Sequence, residues 1–150
     1  MARPRCAPRA AWAVVIFLST AMAAEADSPT GDAITSGQSD FAALCSPCHG
    51  ENATGDGPAA AGLAHKPADL THITRNHGGQ FPDSLIFETI EGLNMPSSHG
   101  TREMPVWGDV FVGEAVGNSV SLAEAKKAGD EARKRIEALV LYLKSIQAKD

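Results

Sequence analysis

Aromatic side chains are scarce: two Trp, one Tyr and five Phe, 5% of 150 residues. A chain of this length suits one domain. So few large rings are thin filling for its core, and something other than side chains is expected to occupy part of the middle. Cysteine is scarce too, at three residues. No second pair accompanies Cys45 and Cys48, which excludes a zinc site of four paired cysteines. Basic runs are lacking: 13 Lys and Arg stand against 18 Asp and Glu, a net charge of −5. That excludes nucleic acid or an anionic lipid surface as an electrostatically bound partner. No alternating strand pattern of useful length appears, and no repeat. With 43% hydrophobic and 21% charged residues, the chain is neither disordered, collagen-like nor a multi-span membrane protein.

The one long apolar run lies at the start. Arg3, Arg5 and Arg9 precede the apolar stretch Ala10–Leu18, and Ala21-Met22-Ala23 supplies a small-x-small cleavage pattern. Residues 1–23 therefore read as a signal peptide cleaved after Ala23, or alternatively after Ala26. The run is shorter than the roughly 20 residues a spanning helix needs. The expected location is the periplasm. Cys6 precedes the run and would be lost with it. Cleavage removes three of the 13 basic residues and no acidic one, leaving 10 against 18 and a net charge of −8. Residues 24–35 are polar and small and read as a flexible N-terminus, followed by one domain over 36–150.

The run Cys45-Ser46-Pro47-Cys48-His49 carries the chemistry. C-x-x-C-H is the attachment pattern for c-type haem. Two thiols on one helical turn can both add to the vinyl groups along one haem edge. The next residue then offers its imidazole to the iron. A redox dithiol would need a preceding strand and a βαβ context, and Ala- and Gly-rich sequence surrounds this pair instead. One haem c per chain, held through Cys45 and Cys48, also accounts for the shortage of aromatics, because the porphyrin is the largest apolar group in the core.

A sixth iron ligand must come from what remains. Two Met-Pro pairs, Met95-Pro96 and Met104-Pro105, and four histidines, His65, His72, His77 and His99, are available. A neutral, soft thioether favours ferrous iron and raises the potential relative to two imidazoles. The attachment run, followed later by Arg102-Glu103-Met104-Pro105-Val106-Trp107-Gly108, resembles a class I c-type cytochrome of the small bacterial single-haem type, from Gly37 to about Ile146. The resemblance implies an all-α, cytochrome c-like fold with Met104 as the ligand, in a loop just before the last helix. Met95 then reads as a loop methionine on the haem edge. The resemblance also implies that Gly37 and Phe41 pack against Leu139 and Tyr142 of that helix. It implies too that the carbonyl of Pro67 accepts the ring N–H of His49. Arg102 reads either as a partner for a haem propionate or as an exposed loop residue. Trp107 reads as packing below the methionine loop rather than bonding a propionate.

The remaining pattern supports helices. Ser36–Cys45 reads as the first helix, capped by Thr35 or Ser36. Gly50–Gly62 is a Gly-rich loop, lying on the haem or merely on the surface. Phe81-Pro82-Asp83-Ser84 opens another helix, which Gly92 stops. Ser121-Leu122-Ala123-Glu124 is a capping box. After a possible break at Gly129-Asp130, Ala132, Ile136, Leu139, Val140 and Leu143 recur at helical spacing. The charges from Lys126 to Lys134 read as a solvated face.

A haem with both axial positions filled does not bind substrate. The expected function is electron transfer, without enzymatic turnover, from a dehydrogenase or quinol-oxidising complex to a terminal oxidase or reductase. The carrier would be a monomer docking transiently on membrane complexes, or a subunit of a dehydrogenase. The alternative is a haem enzyme, or a sensor of gas or peroxide, with a labile sixth ligand and His72, His77 or His99 as distal groups.

Overall fold

The computed structural model describes residues 29–93, 104–117 and 121–149. The expected signal peptide, Met95, His99 and Arg102 lie outside the described residues. Among those described, the regular structure is all helical. Helix α1 spans Pro29–Asp40 and runs through a wide π turn, Phe41–Cys45, into the short α2, Ser46–His49. Next come α3 (Ile73–Asn76), α4 (Asp83–Glu91), α5 (Trp107–Val116) and α6 (Leu122–Ser145). The long α6 packs chiefly on α1 and α5.

The expected all-α fold is what the chain adopts, with three local corrections. The first helix begins at Pro29, not near Ser36. Its early turns are poor in apolar residues, but Ile34, Gly37 and Phe41 share one face, and Ile34 packs on the core. Tertiary burial thus extends a helix that propensity alone would not start there. Gly129-Asp130 does not break α6. A glycine in a helix interior costs only about 1 kcal/mol. Against it stand buried Ala128 and Ala132, an ion pair from Lys126 to Asp130 at 2.9 Å, and the capping box. Finally, α5 intervenes between Met104 and the last helix, where β-branched residues and two glycines had masked a helical pattern. Trp107 and Phe111, one turn apart, are its buried anchors.

The core is organised by a close crossing. A Cβ on Gly37 would lie 2.0 Å from the carbonyl oxygen of Ala138, so α1 and α6 meet backbone to backbone. Phe41 then stacks on Tyr142, ring centroids 5.2 Å apart and tilted by 48°. Phe41 is 2% exposed and Leu139 1%. Both contacts follow the expected pairing. Arg135 of α6 ties the helices together from the side. Its Nε and one terminal nitrogen donate to both carboxylate oxygens of Asp40 at 3.0 and 2.8 Å, and the other donates to Glu114 at 2.6 Å. Lys126–Asp130, Lys134–Glu131 and Arg133–Glu137 pair along the exposed face, as expected for a solvated charge run.

Candidate haem site

The attachment run sits on a deliberate irregularity. Pro47 has no N–H for the carbonyl one turn earlier, and its ring would crowd that carbonyl. The helix widens just before it. Ser46 N–H bonds the carbonyl of Phe41, five residues back, and its hydroxyl bonds Ala42 O at 2.7 Å. Pro47 then falls in the first turn of α2, where no N–H partner is required. Widened turns of this kind recur at functional sites.

The Gly-rich loop closes the other end. Ala59, Gly57 and Gly55 donate their N–H groups to the carbonyls of Pro47, Cys48 and His49 at 2.8, 3.1 and 2.8 Å. These are carbonyls that a helix end leaves without partners. A Cβ on Gly57 would lie 2.4 Å from Pro47 O and 2.6 Å from Ser46 O, so only glycine lets the loop lie this close. The loop is therefore the backing of the attachment turn rather than a plain surface loop.

Two adjoining cavities flank that turn. The first is lined by both thiols, Cys45 and Cys48, with Leu44, Leu63, Pro67 and Pro105. The second lies over Phe41, Leu70, Ile73, Ile86, Leu139 and Leu143. Cys45, His49, Met104 and Trp107 border both. Apart from Arg102, all the expected site residues are brought together: Cys45, Cys48, His49, Pro67, Met104 and Trp107.

One expected role moves by a residue. The ring Nδ1–H of His49 donates to the carbonyl of Ala68 at 3.0 Å, not to that of Pro67. The Pro67 carbonyl instead faces Gly55, where a Cβ would stand 2.2 Å from its oxygen. The bond to Ala68 fixes the tautomer, placing the lone pair on Nε2, the nitrogen a metal would use. Trp107 is 8% exposed and packs on Phe111, centroids 5.8 Å apart, one turn along its own helix. His72 belongs to a local cap: its Nδ1–H donates to Asp69 Oδ2 at 2.9 Å, and Thr71 bonds the other oxygen. His77 donates from Nδ1 to Ile73 O at 2.8 Å and borders the second cavity. His65, one of the four histidines available as a sixth ligand, and Lys66, which sequence reasoning did not place here, border the first.

The donor set discriminates among cofactors. The two thiols are unbridged. Burial, then the charges of Asp40 and Cys48, pushes the Cys45 thiol up to about 12. A reactive dithiol or a thiolate metal ligand needs a shift in the opposite sense. No cluster of three His, Cys, Asp or Glu side chains suited to a metal ion occurs among the described residues. Two unbridged thiols on the wall of a largely apolar cavity, an imidazole of fixed tautomer and a thioether fit a covalently held haem.

Comparison with known proteins agrees. Residues 32–85 match the family model described as cytochrome C oxidase, cbb3-type, subunit III. The matched stretch covers most of α1, the attachment turn, the Gly-rich loop and the start of α4, and stops short of Met104. A search of the curated proteins returned no match, nor did a search of the solved structures. The matched stretch contains every feature of the attachment turn described above and, with the all-α fold, supports a c-type cytochrome.

Proposed function

We propose that this chain is an exported single-haem electron carrier. In this reading Cys45 and Cys48 hold one haem c by thioether bonds, and His49 and Met104 are its axial ligands. The observation that carries it is the imidazole of His49, fixed by Ala68 on the same cavity walls that Met104 borders. A haem so held supplies a one-electron ferric/ferrous couple, its potential raised by the thioether. The chain's own residues do the rest. Ala68 keeps the imidazole oriented and strengthens it as a donor. Leu70, Ile73, Leu139 and Leu143 keep water from one side of the site. With both axial positions taken by side chains, no substrate needs to enter: one electron comes in from a donor protein and leaves to an acceptor.

The donor is a dehydrogenase or a quinol-oxidising complex, and the acceptor a terminal oxidase or reductase. The matched family's description names an oxidase subunit, which favours an oxidase as acceptor or as host assembly. Among the described residues no helix is long and apolar enough to cross a membrane. Encounters of this kind use small, short-lived interfaces.

The test is the full-length protein expressed with periplasmic haem maturation. Mass spectrometry should find a chain starting at Ala24 and heavier by one haem. Cys45→Ala or Cys48→Ala should each lose one thioether bond. The ferric spectrum should be low-spin with the weak far-red sulfur-to-iron band. A high-spin ferric spectrum would overturn the carrier reading, and a colourless product of peptide mass alone would overturn the haem assignment itself.

A further inference from the structure

Asp40 stands at the last position of α1, immediately before the π turn that presents Cys45. Its next neighbour in the chain, Phe41, opens that turn and borders the second cavity, so the carboxylate lies close to the wall on which Cys45 also sits, and its charge adds to the upward push that burial exerts on the Cys45 thiol. A negative charge here would favour the ferric state of a haem attached at Cys45. It does not act alone. Arg135 crosses from α6 and grips both of its oxygens, at 3.0 and 2.8 Å. The side chains of the pair are 32% and 19% exposed, so solvent screens them less than a surface pair. The guanidinium also lies over the Phe111 ring, 3.9 Å from its centroid, and reaches Glu114 on α5. One cation thus answers two carboxylates, and its planar fork holds the nearer one in a fixed place.

We propose that Arg135 and Asp40 act as a charge couple that sets the reduction potential of the haem, Asp40 lowering it and Arg135 offsetting that effect. This rests on the carrier reading above. Neither residue touches the cavity walls, so both act through the field and through the position of the turn. A purely structural pair would change stability when either member is removed. A charge couple makes the two removals shift the potential in opposite directions.

The experiment is potentiometric titration of the holoprotein at low ionic strength, for wild type, Asp40→Asn, Arg135→Gln, Arg135→Lys and the double variant Asp40→Asn/Arg135→Gln. Asp40→Asn should raise the potential and Arg135→Gln should lower it. The double variant should fall between them. Arg135→Lys keeps the charge without the fork, and should hold the potential near wild type while lowering the melting temperature. If Arg135→Gln does not mature, the near-isosteric Asp40→Asn and the charge-keeping Arg135→Lys still decide. Shifts of the same sign in both single variants, or none in Asp40→Asn, would overturn the proposal. Absence of haem from the wild type would overturn the carrier reading instead, and the two failures are distinguished by colour and mass.

Discussion

The ring of His49 gives its Nδ1 proton to the carbonyl oxygen of Ala68, nineteen positions along the chain, at 3.0 Å. The acceptor is main chain, so no side chain at position 68 advertises it. Its position is held on both sides. The Leu70 N–H bonds Ala53 O at 2.8 Å, and Gln147, beyond the end of α6, donates to Leu70 O at 2.8 Å and accepts from Thr74 N–H at 2.8 Å. The orientation of one imidazole is thus secured by the Gly-rich loop and the C-terminal tail together.

Pro67→Ala should leave the axial imidazole in place, because residue 68 supplies the acceptor. The low-spin spectrum is expected to persist, with about 0.5–1 kcal/mol lost through the more flexible unfolded chain. His49→Ala should yield no stable holoprotein, since folding and cofactor retention are coupled in small domains of this kind. Absorption spectra and thermal unfolding check both.

Met104→Ala should abolish the far-red band and lower the potential, whereas Met95→Ala should preserve both. Only Met104 is placed, on the border of both cavities. Spectra and potentiometry of the two variants settle the assignment, and the opposite pattern would move the ligand to Met95.

Gly37→Ala should be among the most damaging single-methyl additions in the chain. Its Cβ would meet the Ala138 carbonyl at 2.0 Å and the Leu139 nitrogen at 2.9 Å, all main chain that cannot rotate aside. Overpacking of this sort costs about 1–3 kcal/mol. A clear drop in melting temperature, followed by circular dichroism, is expected. Gly113→Ala, where a Cβ meets nothing, should be neutral or stabilising and serves as the control.

The Asp69 carboxyl is held below its ordinary value of 3.8, first by the Thr71 hydroxyl, and also by the Thr71 N–H and the His72 ring, against an opposing effect of burial. The folded chain therefore binds this proton more weakly than the unfolded chain. The stability it contributes is present above pH 3.8 and is lost as pH falls through the lower folded value. Asp69→Asn should lower stability at neutral pH and make the decline in acid shallower. Thermal unfolding across the acid range reads out both, and an unchanged acid limb would assign the pH dependence to other carboxylates.

Some of this was legible in the sequence and some was not, for identifiable reasons. The spacing Cys45-Ser46-Pro47-Cys48-His49 is local chemistry, and it marks the site unaided. The buried stripe of α6 is long and periodic, so one glycine could suggest a break at 129 but not make one. The Gly37 and Phe41 contacts on α6 came from their offsets to the attachment run. What escaped was non-local or carried by main chain. The early start of α1 depends on α6 covering Ile34. Helix α5 is composed of residues that favour strands and turns. The Ala68 acceptor and the loop N–H groups behind α2 are backbone atoms that every residue possesses. Of the cavity-facing residues, Lys66 carries no pattern that would single it out.

The Gly-rich loop meets the attachment turn through main-chain atoms, which leaves its outward side free of duties. At Gly62 an added Cβ would meet nothing within 4 Å, yet the position immediately precedes Leu63, on the wall of the cavity that the two thiols border. A linker grafted there would tether the protein to an electrode beside its redox centre without altering any wall of it.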